Sequence, residues 1–479
     1  MIERLCADSR RCAPGVAFLA YPGESADGRR HIGDALQRGS SAVLWEAEGF
    51  AWKDAWRVPN IAVRDLKAAA GPLAHEFYGR PSESLWTCGV TGTNGKTSCS
   101  QWIAALLGAH GVKAGVVGTL GSGFPGALAA ESNTTPDALE LHRRLAELLR
   151  AGAQGVAMEA SSHGLAQGRL NGVAFDCALF TNLSQDHLDY HGTLEAYAEA
   201  KSRLFDMPGL EVAVLNLDDV VGVRLAQKLT ARGMRTIGYA LSESALAPGS
   251  VSEHVAAREI RVTDGGSQVA LASSWGSIEA SISQAGRFNV ANALGVLGCL
   301  VGYGIPFAEG ARLLGSLPAV PGRMQRLGGD GRPLVFVDYA HTPDALEKVL
   351  QALRPVADAR GGHLIAVFGA GGDRDPTKRA PMGAAASRHA DRLVLTSDNP
   401  RSEDPRAIIS AVRSGVTAPC IEEPDRAAAI EGALHAARAC DVILLAGKGH
   451  ETEQEIAGRK LPFSDLAVAA AALERWGGR

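Results

Sequence analysis

Leu85-Trp86-Thr87-Cys88-Gly89-Val90-Thr91-Gly92-Thr93-Asn94-Gly95-Lys96-Thr97 joins a short apolar, β-forming run to a glycine-rich turn that ends in Lys-Thr. A helical segment, Ser98 to Leu107, follows directly. Strand, glycine turn and helix N-terminus together make an anion cradle, because backbone N–H groups and the positive end of the helix dipole converge on one point. In such a cradle Lys96 reaches the β/γ-phosphates of a nucleotide and the Thr97 hydroxyl takes a Mg²⁺. The fit to the general phosphate-loop pattern is imperfect: the position six before Lys96 is Val90, and the first glycine, Gly89, sits one place too early.

The chain around this stretch has 479 residues, too many for one core, and a prior of ~100–200 residues per domain gives about three domains. Apolar content of 46% with 56 Gly is ordinary for a soluble α/β enzyme. A net charge of -4 gives no footprint for nucleic acid or an anionic membrane. The eight cysteines are scattered, with no C-x-x-C pair and no His spacing typical of zinc, and read as reduced, mostly packed thiols. Arg10-Arg11 precede the apolar run Ala13 to Tyr21, but Pro14, Gly15 and flanking acidic residues argue against an export signal. The expectation is a cytoplasmic monomer with no membrane insertion.

Residues 1–84 alternate short apolar runs (Val16 to Leu19, Ala42 to Trp45, Ile61 to Val63) with helical stretches such as His31 to Arg38, which predicts a small α/β unit. Its polar features, Asp8-Ser9-Arg10 and the turn Gly23 to Gly28, read on their own as loop chemistry. Gly79 to Ser82 looks like a linker. From 85 to 323 strands and helices alternate as in a largely parallel sheet, with strands expected at Lys113–Val117, Gly155–Glu159, Cys177–Thr181, Glu211–Asn216 and Met234–Tyr239. Residues 250–283 suit an antiparallel insertion or edge. From 324 to 479 a second alternation predicts strands at Leu334–Asp338, Leu364–Phe368, Leu393–Thr396 and Val442–Ala446.

Ligands of such sheets gather beyond the carboxyl ends of strands. Several of these strands run into polar clusters: Glu159 to His163, Thr181 to His191, Asn216 to Asp219, Asp338 to His341, Gly369 to Asp375, Asp398 to Arg401 and Gly447 to Glu451. Glu159 and His187 offer an oxygen and a nitrogen to a metal, although Mg²⁺ prefers oxygen. Taken singly, each also fits a hydrogen-bonded group at a strand end. Thr134-Thr135-Pro136-Asp137 also fits a helix cap with Thr135 ahead of Pro at the first turn. On pattern alone Lys201, inside the helical segment Leu194 to Phe205, reads as a solvated lysine.

In chain order, Thr91 to Thr97, Thr134 to Pro136, Glu159 to His163, Thr181 to Asp189, Asn289 to Asn292, Pro321 to Arg323, Asp338 to His341 and Gly447 to Glu451 resemble the motifs of the Mur ligases of peptidoglycan synthesis, from end to end of the chain. The resemblance implies three domains: a UDP-substrate unit over 1–84, a P-loop ATPase-type parallel sheet over 85–323 and a Rossmann-like amino-acid domain over 324–479. It implies an ATP-dependent ligase that adds the third residue to a UDP-muramoyl-dipeptide through an acyl phosphate, with Mg²⁺ as cofactor and ATP as substrate. Gly92, Thr93, Asn94, Gly95, Lys96 and Thr97 would hold the ATP phosphates, Asn289 and Asn292 the base, and Arg323 and Asp338 phosphate and ribose. Thr97, Glu159 and His187 would surround Mg²⁺, joined by Lys201 as a carbamate, and His341 would lie near the nucleotide. Ser9, Thr134, Thr135, Ser161, Gln167 and Arg169 would hold the UDP-muramoyl-dipeptide. In that family the longer loop starting at Gly89 is the normal form.

Asp398-Asn399-Pro400-Arg401 resembles the tetrapeptide of the members that add diaminopimelate rather than lysine. Diaminopimelate carries one more carboxylate at its far end, which a guanidinium grips with two parallel charge-assisted bonds. Arg374 would supply a second cation, and Asn399, Gly447 and Glu451 would read the amino end. Two other readings share the phosphate loop: a folylpolyglutamate-type ligase, and a nucleotide switch that binds ATP without consuming it.

Overall fold

The computed structural model describes residues 1–24, 26–247, 249–263 and 266–477. Ser25, in the expected turn Gly23 to Gly28, lies outside them, as do 264 and 265 in the expected antiparallel stretch. No helix among the described residues is long and apolar enough to cross a membrane.

Three sheets carry the three units. The first has four parallel strands in chain order, Arg4–Cys6, Val16–Ala20, Ala42–Glu46 and Asn60–Val63. Gly79 to Ser82 is a packed junction rather than a loose linker: Ser82 is 2% exposed and its hydroxyl accepts the Ala174 N–H at 3.0 Å.

The central sheet has eleven strands, and the strand of the phosphate loop, Trp86–Thr91, runs parallel between Gly155–Glu159 and Cys177–Phe180. Its sequence explains the position: Thr87 to Thr91 are buried on both faces, as a parallel strand under crossover helices must be. One face packs on Lys96–Ala109 and Arg287–Tyr303, the other on the opposite helical layer. The expected antiparallel edge is there, as Glu253–Thr263, Gly266–Ser273 and Gly276–Ile282. A hairpin at the other edge, Gly121–Phe124 and Ala127–Ala129, was not foreseen, because glycine and alanine carry little strand signal.

The third sheet has six strands, five of them parallel, with both faces covered by apolar clusters. Leu334–Asp338, Leu364–Phe368 and Val442–Ala446 fall where expected. The helical segment Leu194 to Phe205 is α-helical only over Leu194–Ser202 and tightens to a 3-10 turn at Arg203–Asp206.

Candidate active site

Gly92 and Gly95, with φ of 146° and 90°, turn the chain between strand and helix. A Cβ at Gly92 would stand 1.8 Å from Thr181 Oγ1, and one at Gly95 would stand 2.5 Å from Asn292 Oδ1. Gly89 is different: it lies inside the strand, and its missing side chain makes room for Phe175 and Leu204. The turn therefore starts at Gly92, and the early glycine that spoils the general pattern serves packing. The loop is pinned from the neighbouring strand end. Asn182 O accepts the Thr93 N–H at 2.8 Å, Asn182 Oδ1 accepts the Asn94 N–H at 3.1 Å, and Thr181 Oγ1 donates to Asn94 O at 2.6 Å.

Two lysines meet inside this turn. Lys96 Nζ donates to Gly92 O at 2.8 Å and to Thr93 O at 2.9 Å, and Lys201 Nζ donates to the same Gly92 oxygen at 2.7 Å. Lys201 is 1% exposed and stands over the Tyr197 ring at 4.2 Å, so the solvated reading of its helical position fails. Burial, then the nearby Lys96, holds its amine well below the ordinary lysine range. Burial lowers Lys96 as well, with Glu159 and Asp186 pulling the other way.

Glu159 ends its strand 2% exposed. It accepts from Thr97 Oγ1 at 3.0 Å, from the Thr119 N–H at 2.8 Å and from Thr119 Oγ1 at 3.1 Å. Gly118 must lack a side chain, since a Cβ there would stand 2.3 Å from Glu159 Oε1. Arg323 crosses from the seam to donate to Thr97 Oγ1 at 3.0 Å, its guanidinium 4.5 Å above the Tyr339 ring. His187 holds a left-handed φ of 54°, and burial pushes its imidazole down to about 3, leaving it neutral. Asp186 lies 3.4 Å from His187 Nε2 and 3.9 Å from His341 Nε2. Burial alone would raise Asp186, yet His341 and His187 hold it below its usual range. His341 Nδ1 donates to Tyr339 O at 2.8 Å.

Asp338 accepts the N–H groups of Met324 and Ala340 at 2.7 and 2.8 Å, which fastens the seam between the second and third sheets. Asn94 Nδ2 crosses the same seam to Asp344 at 3.1 Å. Asn289 and Asn292 sit on the helix Arg287–Tyr303, where Asn289 bonds Ala285 O at 2.8 Å and Asn292 backs Gly95.

Thr135 is not a helix cap: Asp137 caps Ala138–Arg150, accepting from Leu139 and Glu140. Thr135 Oγ1 instead donates to Glu159 O at 2.7 Å and accepts the Ser161 N–H at 3.0 Å, while Thr134 pairs with Thr119 at 3.1 Å. Arg169 bonds Thr135 O and Gln167 Oε1, both at 2.8 Å. Gln167 and Tyr190 then both donate to Glu24, at 2.7 and 2.5 Å, joining the first unit to the second. Ser9 lies in that first unit, buried in the turn Ser9–Arg11 capped by Asp8.

Across the seam, Asn399 Nδ2 donates to Glu451 Oε2 at 2.9 Å, and Lys448 donates to Glu451 Oε2 at 2.7 Å and to Asn399 Oδ1 at 3.0 Å. Asp398 stands where a Cβ on Gly447 would reach, 2.3 Å away. Arg401 follows Pro400 with a left-handed φ of 53°, which turns its guanidinium onto Gly372 O at 2.6 Å. Arg374 lines an open groove of about 510 Å³ with Leu188, Asp189, Asp373 and Asp375, so second and third units share its walls. Sequence reasoning passed over Lys448, Asn182, Tyr197, Tyr339 and Glu24. Lys448, between two glycines of a quoted motif, gave the clearest signal.

Three family profiles match the chain: "Mur ligase family, catalytic domain" over residues 1–78, "Mur ligase middle domain" over 90–300 and "Mur ligase, glutamate ligase domain" over 322–449. The chain belongs to the Mur ligase family. Among curated Mur ligases it is similar to the UDP-N-acetylmuramoyl-L-alanyl-D-glutamate--2,6-diaminopimelate ligase of Chromobacterium violaceum, 50% identical over 100% of this chain and 95% of that protein. The protein of the same name from Pseudomonas aeruginosa is also 50% identical, covering 99% and 96%. A solved structure with that name superposes with a TM-score of 0.67 at 37% identity, over 99% of this chain and 95% of the other. MurF ligase from Thermotoga maritima in complex with ADP shares the fold, with a TM-score of 0.66 at 19% identity and 98% coverage of both chains.

Proposed function

We propose that this Mur ligase joins meso-2,6-diaminopimelate to UDP-N-acetylmuramoyl-L-alanyl-D-glutamate, using ATP and forming an acyl phosphate. The observation that carries the reading is an arrangement across one seam. Arg374 of the third unit shares the walls of one groove with Leu188 and Asp189, the two residues that follow His187 in the second, in a chain half identical throughout to relatives named for that reaction. The folylpolyglutamate reading rests on fold alone, at 19% identity to a synthase of that kind.

A carboxylate is a poor acyl donor because its oxygen is a bad leaving group. Transfer of the γ-phosphoryl group to it makes that oxygen leave as phosphate when the amine attacks. Such transfer needs positioning and charge stabilisation more than covalent help. Lys96, Gly92 to Thr97 and Arg323 supply this for the phosphates, with Asn289 and Asn292 beside the base and Asp338 holding the seam. Gln167, Arg169, Thr134, Thr135, Ser161 and, on the first unit, Ser9 would hold the UDP-substrate. Closing the seam brings the amine to attack distance and keeps water from the acyl phosphate.

The residues fit Mg²⁺: the Thr97 hydroxyl and Glu159 carboxylate converge at 3.0 Å and His187 is neutral. When bound, Mg²⁺ neutralises charge on the transferring phosphoryl group. Lys201, its amine held well below the ordinary lysine range, is suited in its neutral form to add CO₂: an N–C bond forms as one C=O π bond opens to a carboxylate, one N–H proton leaves, and the amine becomes an anionic oxygen donor.

The test is phosphate release from ATP with UDP-muramoyl-dipeptide, with and without diaminopimelate. Release that needs both substrates supports the ligase. ATP binding without turnover in their presence indicates a nucleotide switch.

A further inference from the structure

Cys88, Cys177 and Cys299, 89 and 122 positions apart in the chain, converge under the phosphate loop. Cys88 and Cys177 are register partners on adjacent parallel strands, and Cys299 descends on them from the helix Arg287–Tyr303. Cys88 Sγ and Cys299 Sγ are 3.9 Å apart, all three sulfurs lie within 4.8 Å of one another, and each residue is 0% exposed. A metal–sulfur bond of roughly 2.3 Å puts the sulfurs of a trigonal MS₃ unit about 4 Å apart, and a pyramidal one draws them closer. The triangle is therefore near the size of a three-sulfur site.

The surroundings narrow the ion. Val90, Leu179, Val214 and Val296 belong to the same apolar cluster, and no histidine or carboxylate among the described residues completes a fourth position. Thiols select soft ions. A buried complex with net charge and no counter-ion is costly, so the favoured product is neutral. Trivalent arsenic meets this condition. As(OH)₃ and three thiols give As(SR)₃ and three waters: three As–O and three S–H bonds break, three As–S and three O–H bonds form, and no oxidation state changes.

We propose that Cys88, Cys177 and Cys299 form a three-thiol site for a trivalent thiophilic ion, with arsenite as its probe. The sulfurs tie the strand that feeds the phosphate loop to the helix whose Asn292 backs Gly95, so occupancy reaches the nucleotide site. Loading requires that helix to part from the sheet and is slow.

The experiment uses the full chain carrying Cys12→Ser, because Cys6 and Cys12 both turn towards Asp8 O and are a second close thiol pair. After long incubation with arsenite and desalting, one arsenic per chain is retained, and arsenic X-ray absorption shows three sulfur neighbours. Cys88→Ala, Cys177→Ala and Cys299→Ala each weaken arsenite binding by about tenfold or more, while Cys99→Ala, buried nearby but outside the triangle, does not. Arsenic absent after incubation, or bound with two sulfurs and an oxygen, overturns the site, and this reading stands even if an alanine variant fails to fold.

Discussion

Lys96 and Lys201 share one acceptor, the carbonyl oxygen of Gly92, at 2.8 and 2.7 Å. Their nitrogens are thus no more than about 5.5 Å apart, and two full charges so close in a dry turn repel. Burial, then the neighbouring Lys96, holds the deeper one, Lys201, well below the ordinary lysine range. Lys201→Ala is expected to lower ligation by about 10²–10³-fold, as when one preorganised charge-stabilising group is lost. Added short carboxylates should restore part of the rate to this variant, and removing dissolved CO₂ should slow the wild type. Full activity in Lys201→Ala would leave the residue a packing lysine.

The pH dependence of stability should bear the mark of His142. Its Nε2–H donates to Asn171 O at 3.0 Å, so Nδ1 carries the lone pair, buried and without a hydrogen-bond partner among the described residues. Burial pushes its pKa from 6.5 down to about 4. Between those values the unfolded chain takes up a proton that the folded chain refuses, so stability is complete above about 6.5 and is lost as pH falls towards 4. The contribution is on the order of 3 kcal/mol at the acid end. His142→Gln should be less stable at pH 8 and lose less on acidification, measured by urea unfolding across pH 4–8. An unchanged slope would remove His142 from the acid response.

Arg426 and Asp465, both side chains fully buried, form a two-pronged pair at 2.7 Å per contact. Arg426 also donates to Ser397 O and Ala446 O, the residues just before Asp398 and Gly447. The pair thus holds both strand ends that carry the residues proposed to face the amine. Arg426→Met should cost about 3–5 kcal/mol, since it strands a buried carboxylate. Arg426→Met with Asp465→Leu should recover most of that stability yet keep a raised KM for diaminopimelate. Thermal unfolding and kinetics on the two variants separate these effects.

Much of this was readable in the sequence, for a physical reason. Parallel strands buried on both faces are written as apolar runs, and Leu334–Asp338 or Val442–Ala446 end where their polar residues begin. Lys201 was legible only through family resemblance, because the groups that dry it, Gly92 and the Tyr197 ring, reach it by folding and one of them is remote in sequence. Gly89 was misread for the same kind of reason: its partners, Phe175 and Leu204, lie far along the chain. The thiol triangle has no local pattern at all. Register brings Cys88 and Cys177 together, and only a helix crossing adds Cys299.

Specificity for the amine tests the central claim most directly. Arg401 reaches across Pro400 into the loop of Gly372, beside Glu455 at 3.6 Å, with Arg374 nearby on the shared groove. The measurement is kcat/KM for diaminopimelate and for lysine on wild type and Arg401→Ala, with ATP and UDP-muramoyl-dipeptide saturating. Wild type should prefer diaminopimelate by ~10⁴ or more, since lysine lacks the distal carboxylate that the Arg401 guanidinium would grip. Arg401→Ala should lose about 2–5 kcal/mol of that preference, with KM for ATP unchanged and little absolute gain for lysine. Equal use of both amines by wild type, or full diaminopimelate activity in Arg401→Ala, would contradict the account.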